Sequence, residues 1–169
     1  EIGSALGRIL QNKSDIKVEY WDKNPSKTGG QKDLSELVPS THFVFVCVPS
    51  WALREAAESV QPYLRAQTPL ISLTKGLEET LKTAPEVLVE VFGNNQPFTL
   101  LGGPMIAEEL NQGVASVGVA AASSEETFNK VKNLFANTSL HVEYSSDLKG
   151  VALSGVLKNI YAVGFGIAD

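Results

Sequence analysis

The last stretch of the sequence, residues 147–169 (DLKGVALSGVLKNIYAVGFGIAD), places a lysine inside an apolar segment. From position 150 to position 168, Lys158 is the only charged residue. An α-helix turns by about 100° per residue, so these residues share a face with it: Asp147, Val151, Ser154, Gly155, Ala162 and Phe165. An ammonium in an apolar wall, with space left beside it by Gly155, can donate a proton or a hydrogen bond to a substrate oxygen.

Two other interpretations of this stretch stay open. Most lysines on helices extend their ammonium to water along an apolar stem, without a chemical role. The apolar run is also about long enough to span a membrane. Lys158 and Asn159 at its middle, and the glycines at 150, 155, 164 and 166, argue against a span and favour close helix packing.

The N-terminal residues EIGSALG resemble the end of a dinucleotide-binding motif. Gly3 fits the last glycine of G-x-G-x-x-G, with Gly7 further along the helix and the leading glycines upstream of residue 1. Asp22 follows at close to the spacing of about 20 residues at which such a fold places an acid on the ribose hydroxyls. The acid favours NAD over NADP, although Lys23 beside it weakens that preference. A plain helix N-terminus with packing glycines is the alternative.

Three further segments follow predicted strands: Pro49-Ser50, Thr74-Lys75-Gly76 and Gly102-Gly103-Pro104. In an open parallel sheet, ligands bind outside the carboxyl ends of the strands. Lys75 at such an end can meet an anionic substrate, and Gly103-Pro104 leads into a predicted helix whose free N–H groups can face an anion. A solvent-exposed loop lysine and an ordinary strand-to-helix turn are the simpler interpretations.

The composition excludes several classes of protein. The 169 residues are 43% hydrophobic and 20% charged, with a net charge of −5, which is typical of a soluble domain and argues against a nucleic-acid surface. The single cysteine, Cys47, cannot form an internal disulfide, which fits a reducing cytoplasm. No cluster of ligands with metal-site spacing, no G-x-S-x-G elbow and no P-loop is present.

The elements that must position these residues alternate along the chain. Helices are predicted over residues 3–13, 34–38, 50–66 (capped by Ser50), 84–92, 104–112 and 124–136, and strands over 16–22, 42–49, 69–74, 98–101, 115–122 and 140–144. The segment 24–32 is a loop by composition. This alternation predicts an α/β domain on a mostly parallel sheet.

Taken in order, these pieces resemble the NAD(P)-dependent glycerol-3-phosphate dehydrogenase family. The resemblance is carried by GSALG (3–7), VCVPS (46–50), TKGLE (74–78), GPMIAEE (103–109), GVALSGVLKN (150–159) and GIAD (166–169). It implies a Rossmann-like, doubly wound sheet over residues 1–145 and the first helix of a helical substrate domain over 146–169. It also implies that the first strand, the leading glycines and the rest of a second domain, with an arginine for the substrate phosphate, lie outside this sequence.

The resemblance further implies a reaction and a set of roles. The family reduces dihydroxyacetone phosphate to sn-glycerol 3-phosphate, or runs the reverse, with NAD or NADP as cofactor. Lys158 corresponds to the catalytic lysine and Lys75, Asn159 and Gly103 to substrate-binding residues. The cofactor-binding positions are Gly3, Asp22, Pro49, Ser50, Lys75 and Ala107. A cytoplasmic enzyme acting on a small phosphorylated substrate is therefore expected, without nucleic acid, metal or membrane span, and a homodimer is left open.

Two alternatives remain at this point. A β-hydroxyacid dehydrogenase or a ketopantoate reductase also places a lysine and an asparagine on the helix after the dinucleotide domain. The GPMIAEE segment favours the first reading over these enzymes. The other alternative is a catalytically silent dinucleotide-binding module, which binds the cofactor without responding to triose phosphate.

Overall fold

A computed structural model describes residues 1–28 and 32–168 of the chain, except for the side chains of Asn159 and Ala168. Asp169, the end of the GIAD segment, and part of the loop predicted over 24–32 lie outside the described residues. The rest forms three layers, with a sheet between two sets of helices. This arrangement confirms the α/β, Rossmann-like architecture expected from the alternating pattern.

The sheet has five strands that neighbour one another in sequence order. They are β1 (Val44–Val46), β2 (Leu70–Ser72), β3 (Phe98–Gly102), β4 (Ser116–Ala122) and β5 (Leu140–Ser145). β1, β2 and β3 run parallel, β4 is antiparallel to β3, and β5 is parallel to β4. Val46 pairs with Ser72, and Ser72 pairs with Leu100, so the first three strands end side by side. The segments that follow them therefore share one edge of the sheet.

Seven α-helices cover the two faces in the part of the chain that the structure describes. They are α1 (Ile2–Gln11), α2 (Leu34–Leu37), α3 (Leu53–Val60), α4 (Ala84–Phe92), α5 (Ala107–Asn111), α6 (Glu125–Phe135) and α7 (Leu148–Ala168). Helices α1, α5 and α6 pack on one face, and α3, α4 and α7 on the other. Short 3₁₀ turns at Pro25–Lys27, Val38–Ser40, Ser50–Ala52 and Gln61–Tyr63 complete the connections.

The core follows the strand alternation. Leu70 of β2 faces the layer of α3 and α4, whereas Ile71 beside it faces the layer of α1 and α6, and both are fully buried. Leu100 and Leu101 of β3 divide between the two faces in the same way. Continuous apolar runs are expected for parallel strands because both of their faces are covered by helices.

The prediction of a strand over residues 16–22 is wrong. The alternation did identify a buried side, since Ile16 and Val18 pack against the core beneath α1. However, no strand in the described part of the chain pairs with this segment. A strand needs a neighbour for its backbone N–H and C=O groups, so apolar alternation without a partner gives a covered segment rather than a strand.

The other corrections concern where elements begin and end. The strand predicted over 42–49 is reduced to Val44–Val46, with only Val46 buried. Ser50 does not cap a helix with its side chain, because it lies inside a 3₁₀ turn, and α3 begins at Leu53 and ends at Val60. The helix predicted from Pro104 begins at Ala107 instead. Helix α4 agrees with the prediction, and α6 starts after Ser124, whose hydroxyl accepts a hydrogen bond from the N–H of Thr127 at 3.1 Å.

Helix α7 has two unlike halves. The first half packs on the sheet through Ala152, which is 8% exposed, and through Val151. The second half leaves its large apolar side chains 62–81% exposed: Ile160, Tyr161, Val163, Phe165 and Ile167. Residues Leu148–Ile167, with a mean hydropathy of 1.4, are long and apolar enough to cross a membrane by length and composition only, a test that core helices also pass. The absence of a span thus stays a prediction.

Candidate functional site

A pocket of about 210 Å³ lies at the carboxyl ends of β2 and β3, against the first half of α7. Three segments form it: the loop after β2, the end of β3 with the turn that follows, and one face of α7. Its lining residues are Thr74, Lys75, Leu100, Leu101, Gly102, Gly103, Pro104, Val151, Ala152, Ser154, Gly155 and Lys158. The structure therefore brings together Lys75, Gly103 and Lys158, which are far apart in the sequence.

The ammonium of Lys75 reaches across the pocket, where it donates a hydrogen bond to the carbonyl oxygen of Gly103 at 3.5 Å. On the other side, a Cβ built at Gly155 would be 3.7 Å from Cγ of Lys75, which is ordinary contact. The sequence suggested that Gly155 leaves space for Lys158. In the structure, the neighbour that it faces is Lys75.

The two lysines carry like charges in one small pocket. The pKa of Lys75 lies below its ordinary value, because burial disfavours its charged form and, second, because Lys158 is nearby. Among the described residues, neither ammonium forms an ion pair with a carboxylate. A site with two positive charges and no acid favours an anionic ligand.

Gly102 and Gly103 let the chain approach its neighbours closely at the pocket wall. Gly103 has a φ of +112°, and a Cβ there would be 3.2 Å from the carbonyl oxygen of Val117. A Cβ on Gly102 would be 3.0 Å from Cγ1 of Val151 in α7. Helix α5 begins only at Ala107 and is five residues long, so it does not start directly at Gly103-Pro104 as the sequence predicted, and the anion site there stays a prediction.

The residues predicted for the cofactor form a second group, around the start of α1. A Cβ on Gly3 would be 3.1 Å from Cβ of Cys47, so a glycine at this position allows α1 to lie against the segment after β1. Asp22 accepts a hydrogen bond from the N–H of Asn24 at 2.9 Å and forms an ion pair with Lys27 at 3.4 Å. The Asn24 N–H first, and then Lys27, hold the pKa of Asp22 below its usual value, so the carboxylate is ionised.

The remaining predicted positions lie between or beside these two groups. Ser50 contacts the loop of Lys75, since a Cβ on Gly76 would be 2.9 Å from Oγ of Ser50. Pro49 directly precedes the 3₁₀ turn at Ser50–Ala52, and Ala107 packs against the same core cluster as Ile2 of α1. Asn159 belongs to α7 by its backbone, but its side chain lies outside the described residues, so its role stays a prediction.

Sequence reasoning missed a cluster of charged residues behind the Lys75 loop. Arg54 of α3 donates to Glu78 from Nε at 2.5 Å and from Nη2 at 3.0 Å, and also to Glu90 of α4 at 2.7 Å. Lys82 pairs with Glu90 as well. No spacing signals this cluster, because Arg54 and Glu78 belong to different elements. The sequence pattern indicates Glu78 only as the last residue of the TKGLE segment.

A larger pocket of about 410 Å³ lies at the opposite ends of β1 and β2, and its lining includes His42, Arg65 and Lys130. Ligands of open parallel sheets bind at the carboxyl ends of strands, so volume alone does not make this pocket the candidate site. Arg65 is also used locally, as a donor to the carbonyl oxygen of Thr41 at 2.5 Å. The smaller pocket between Lys75 and Lys158 is the better candidate.

Comparison with known proteins agrees with the motifs. Residues 22–128 match the family model described as the NAD-dependent glycerol-3-phosphate dehydrogenase N-terminus. The glycerol-3-phosphate dehydrogenase (NAD(P)+) of Chlamydia felis is 36% identical, over 99% of this chain and 57% of its own length. That of Clostridium tetani is 29% identical, over 99% and 54%. The chain thus spans a little over half the length of these relatives.

Solved structures show the same fold. A glycerol-3-phosphate dehydrogenase from Coxiella burnetii superposes with a TM-score of 0.88 at 24% identity, over 99% of this chain and 58% of that one. Prephenate dehydrogenase from Aquifex aeolicus superposes with a TM-score of 0.70 at 18% identity, over 99% and 66%. At these identities the superpositions establish the architecture alone.

Proposed function

We propose that this chain, which belongs to the NAD-dependent glycerol-3-phosphate dehydrogenase family and matches its N-terminal model over residues 22–128, is part of an oxidoreductase that acts on triose phosphate. The reaction is hydride transfer between NAD(P)H and dihydroxyacetone phosphate, or the reverse from sn-glycerol 3-phosphate. The observation that carries the proposal is the meeting of Lys75 and Lys158 in one pocket at the carboxyl ends of β2 and β3. A phosphorylated carbonyl compound supplies a negatively charged partner for these two ammonium groups, which form no ion pair with a carboxylate among the described residues.

The two lysines take different parts. When bound, the nicotinamide cofactor supplies or accepts the hydride at the substrate carbon. Lys158 stands at the carbonyl oxygen, stabilises the negative charge that develops there and donates a proton to it; in oxidation it removes the proton from the hydroxyl. Lys75, held toward the carbonyl of Gly103, adds a second positive charge for the phosphorylated substrate. Asn159 is proposed as a further substrate contact beside Lys158.

The residues around the start of α1 fit a dinucleotide. The close approach of Gly3 to Cys47 matches the role of the last fingerprint glycine, which is close packing of the helix on the sheet. The negatively charged Asp22, whose pKa the Asn24 N–H and Lys27 hold below its usual value, suits the ribose hydroxyls of NAD better than the 2′-phosphate of NADP. Pro49, Ser50 and Ala107 are proposed as the wall between this region and the Lys75 loop.

We assign residues 1–145 to the dinucleotide-binding domain and 146–169 to the first helix of a helical substrate domain. The support is the exposed apolar surface on the second half of α7, which is what a helix shows when its packing partners are elsewhere. The proposal includes a cytoplasmic location, in line with the single cysteine, Cys47, which is free and half-buried. It also includes a soluble enzyme without a membrane span or nucleic-acid partner, and a homodimer is an open part of it.

The test is an NADH fluorescence titration, with and without dihydroxyacetone phosphate. Saturable NADH binding that the triose phosphate alters supports the proposal. NADH binding that is indifferent to triose phosphate identifies a dinucleotide-binding module without this activity. Lys149→Ala is the matched control for variants of Lys158. It removes a lysine from the same helix, α7, outside the pocket, and leaves both titrations unchanged.

A further inference from the structure

We propose that the charged cluster of Arg54, Glu78 and Glu90 is a positioning device for Lys75, which holds the loop of residues 73–83 so that the ammonium stays opposite Lys158. The inference rests on the proposed function for what Lys75 does. Its geometry does not depend on that function. Arg54 and Glu78 are positioning residues here, because neither lines the pocket.

The cluster ties three elements together through one guanidinium. Arg54 lies at the start of α3, Glu78 in the loop after β2, and Glu90 near the end of α4. The guanidinium donates two hydrogen bonds to the Glu78 carboxylate, which is the bidentate arrangement, and a third to Glu90. Because a planar fork fixes both distance and orientation, the loop cannot slide along α3 without breaking this pair.

Glu78 also forms hydrogen bonds with residues of its own loop. Its carboxylate also accepts a hydrogen bond from the hydroxyl of Thr80 at 2.6 Å, and its N–H donates to the carbonyl of Lys82 at 2.9 Å. The side chain is only 8% exposed. A buried carboxylate with these donors is stable only in this place, so its position defines the shape of the loop.

The same loop is attached to the end of β1 next to Lys75 itself. The hydroxyl of Thr74 donates to the carbonyl of Val48 at 2.9 Å. Gly76, with a φ of +117°, lies against Ser50, where a Cβ would be 2.9 Å from Oγ. Lys75 is therefore bracketed by two contacts to residues 48–50, and α3, which carries Arg54, begins directly after this segment.

These attachments bear on the charge of Lys75. Its ammonium meets the carbonyl of Gly103 at 3.5 Å, the limit of a hydrogen bond, so this contact alone is too weak to fix it. Its partial burial, and its nearness to Lys158, depend on where the backbone at residues 74–76 lies. If the loop is released, the ammonium becomes more hydrated and moves away from Lys158, and both changes return its pKa toward the ordinary value.

The experiment follows the lysines directly, by reductive ¹³C-methylation and NMR titration, with the Lys75 signal assigned through Lys75→Arg. Arg54→Met removes the fork, and Glu78→Gln keeps the shape but removes the charge. Lys130→Met is the control, because it removes an ion pair to Glu126 on α6 and leaves the Arg54–Glu78 pair in place. Far-UV circular dichroism establishes that each variant is folded. If Arg54→Met does not fold, Thr80→Val removes a single hydrogen bond to Glu78 and gives a smaller shift in the same direction.

The expected result is that Lys75 titrates at a higher pH in Arg54→Met and Glu78→Gln than in the parent, with Lys130→Met unchanged. Dihydroxyacetone phosphate binding, read by NADH fluorescence, falls on the order of tenfold in the same two variants because the ammonium is misplaced. Folded variants with an unaltered Lys75 titration overturn the positioning role. If the parent does not respond to triose phosphate while the Lys75 titration still shifts in the variants, the proposed function fails and the positioning role stands.

Discussion

Two groups of charged residues lie on either side of the loop of residues 73–83, and they differ in whether their charges are paired. On the pocket side, Lys75 and Lys158 lie together with no carboxylate partner among the described residues. Behind the loop, Arg54 and its acidic partners Glu78 and Glu90 balance one another closely. The paired charges tie α3, α4 and the loop together, whereas the unpaired ones suit the anionic ligand that we propose.

The contrast has an electrostatic reason. Ionised Glu78 is stabilised by Arg54, and its pKa falls to about 2. Lys75 is instead destabilised in its charged form by burial and by Lys158. An anionic ligand in the pocket would reverse the second effect, because its negative charge offsets the repulsion between the two ammonium groups. Variants on the pocket side should therefore change function with little effect on folding, and variants behind the loop should affect both.

The largest effect is expected for Lys158→Met, which keeps the apolar stem and removes the ammonium. Turnover of NADH with dihydroxyacetone phosphate should fall on the order of a thousandfold, because proton transfer at the carbonyl oxygen is lost. NADH binding and the unfolding midpoint should stay close to the parent values. Lys149→Ala on the same helix should keep full turnover. Parent-like turnover of Lys158→Met would remove the lysine from the mechanism.

A smaller loss is expected for Lys75→Met. Binding of the triose phosphate should weaken on the order of tenfold, since one of two positive charges facing the anion is removed. Lys130→Met, which breaks the ion pair between Lys130 and Glu126 on α6, is the matched control and should leave binding unchanged. The comparison fails if both variants weaken binding equally, because the charge would then act through the overall field rather than through the pocket.

The pH dependence of anion binding sharpens the contrast further. In the proposed role Lys75 attracts the phosphate only while protonated, so binding is stronger below its pKa and weakens above it. Because the folded-state pKa of Lys75 is lowered from 10.5, the loss begins at a lower pH than for an ordinary lysine. In Lys158→Met one cause of the lowering is gone, and the alkaline limb of triose phosphate binding should move to higher pH. An unmoved limb would mean that the two ammonium groups do not interact.

The smallest effect concerns acid stability and Glu78. Its folded-state pKa of about 2 lies below the ordinary value of 4.5, so its contribution to stability is present above pH 4.5 and is lost as the pH falls through 2. Urea midpoints measured across this window should fall more steeply for the parent than for Glu78→Gln, which has no proton to take up. Parallel curves would show that the pair with Arg54 does not set the acid response.

The sequence predicted the pocket side well and the side behind the loop poorly. Lys75 and Lys158 were found because each stands out locally, one at the end of a buried strand and the other alone in an apolar helix. Both signals are contained in a few neighbouring residues. The pairing of Arg54 with Glu78 depends on how α3 lies against the loop after β2, which no local pattern encodes.

The fold errors have the same origin. Residues 16–22 alternate as a strand does, and Ile16 and Val18 do pack on the core, but a strand also needs a neighbour that periodicity does not specify. The proline at 104 suggested a helix start, whereas α5 begins only at Ala107, after a turn in which Gly103 has a positive φ and lies close to β4. The elements that were predicted well, α4 and α6, carry their own start signals at Thr83 and Ser124.

The uneven packing of α7 gives the helix a gradient of backbone protection. Beyond Lys158 the described side chains are exposed, so this half of the helix is held mainly by its own backbone hydrogen bonds rather than by packing. Amide hydrogen exchange should be fast from Ile160 onward and slow at Ala152, with Lys158 on the boundary. The time that its ammonium spends in the pocket is then set by how stable this half of the helix is, and anything that packs on the exposed side chains lengthens it.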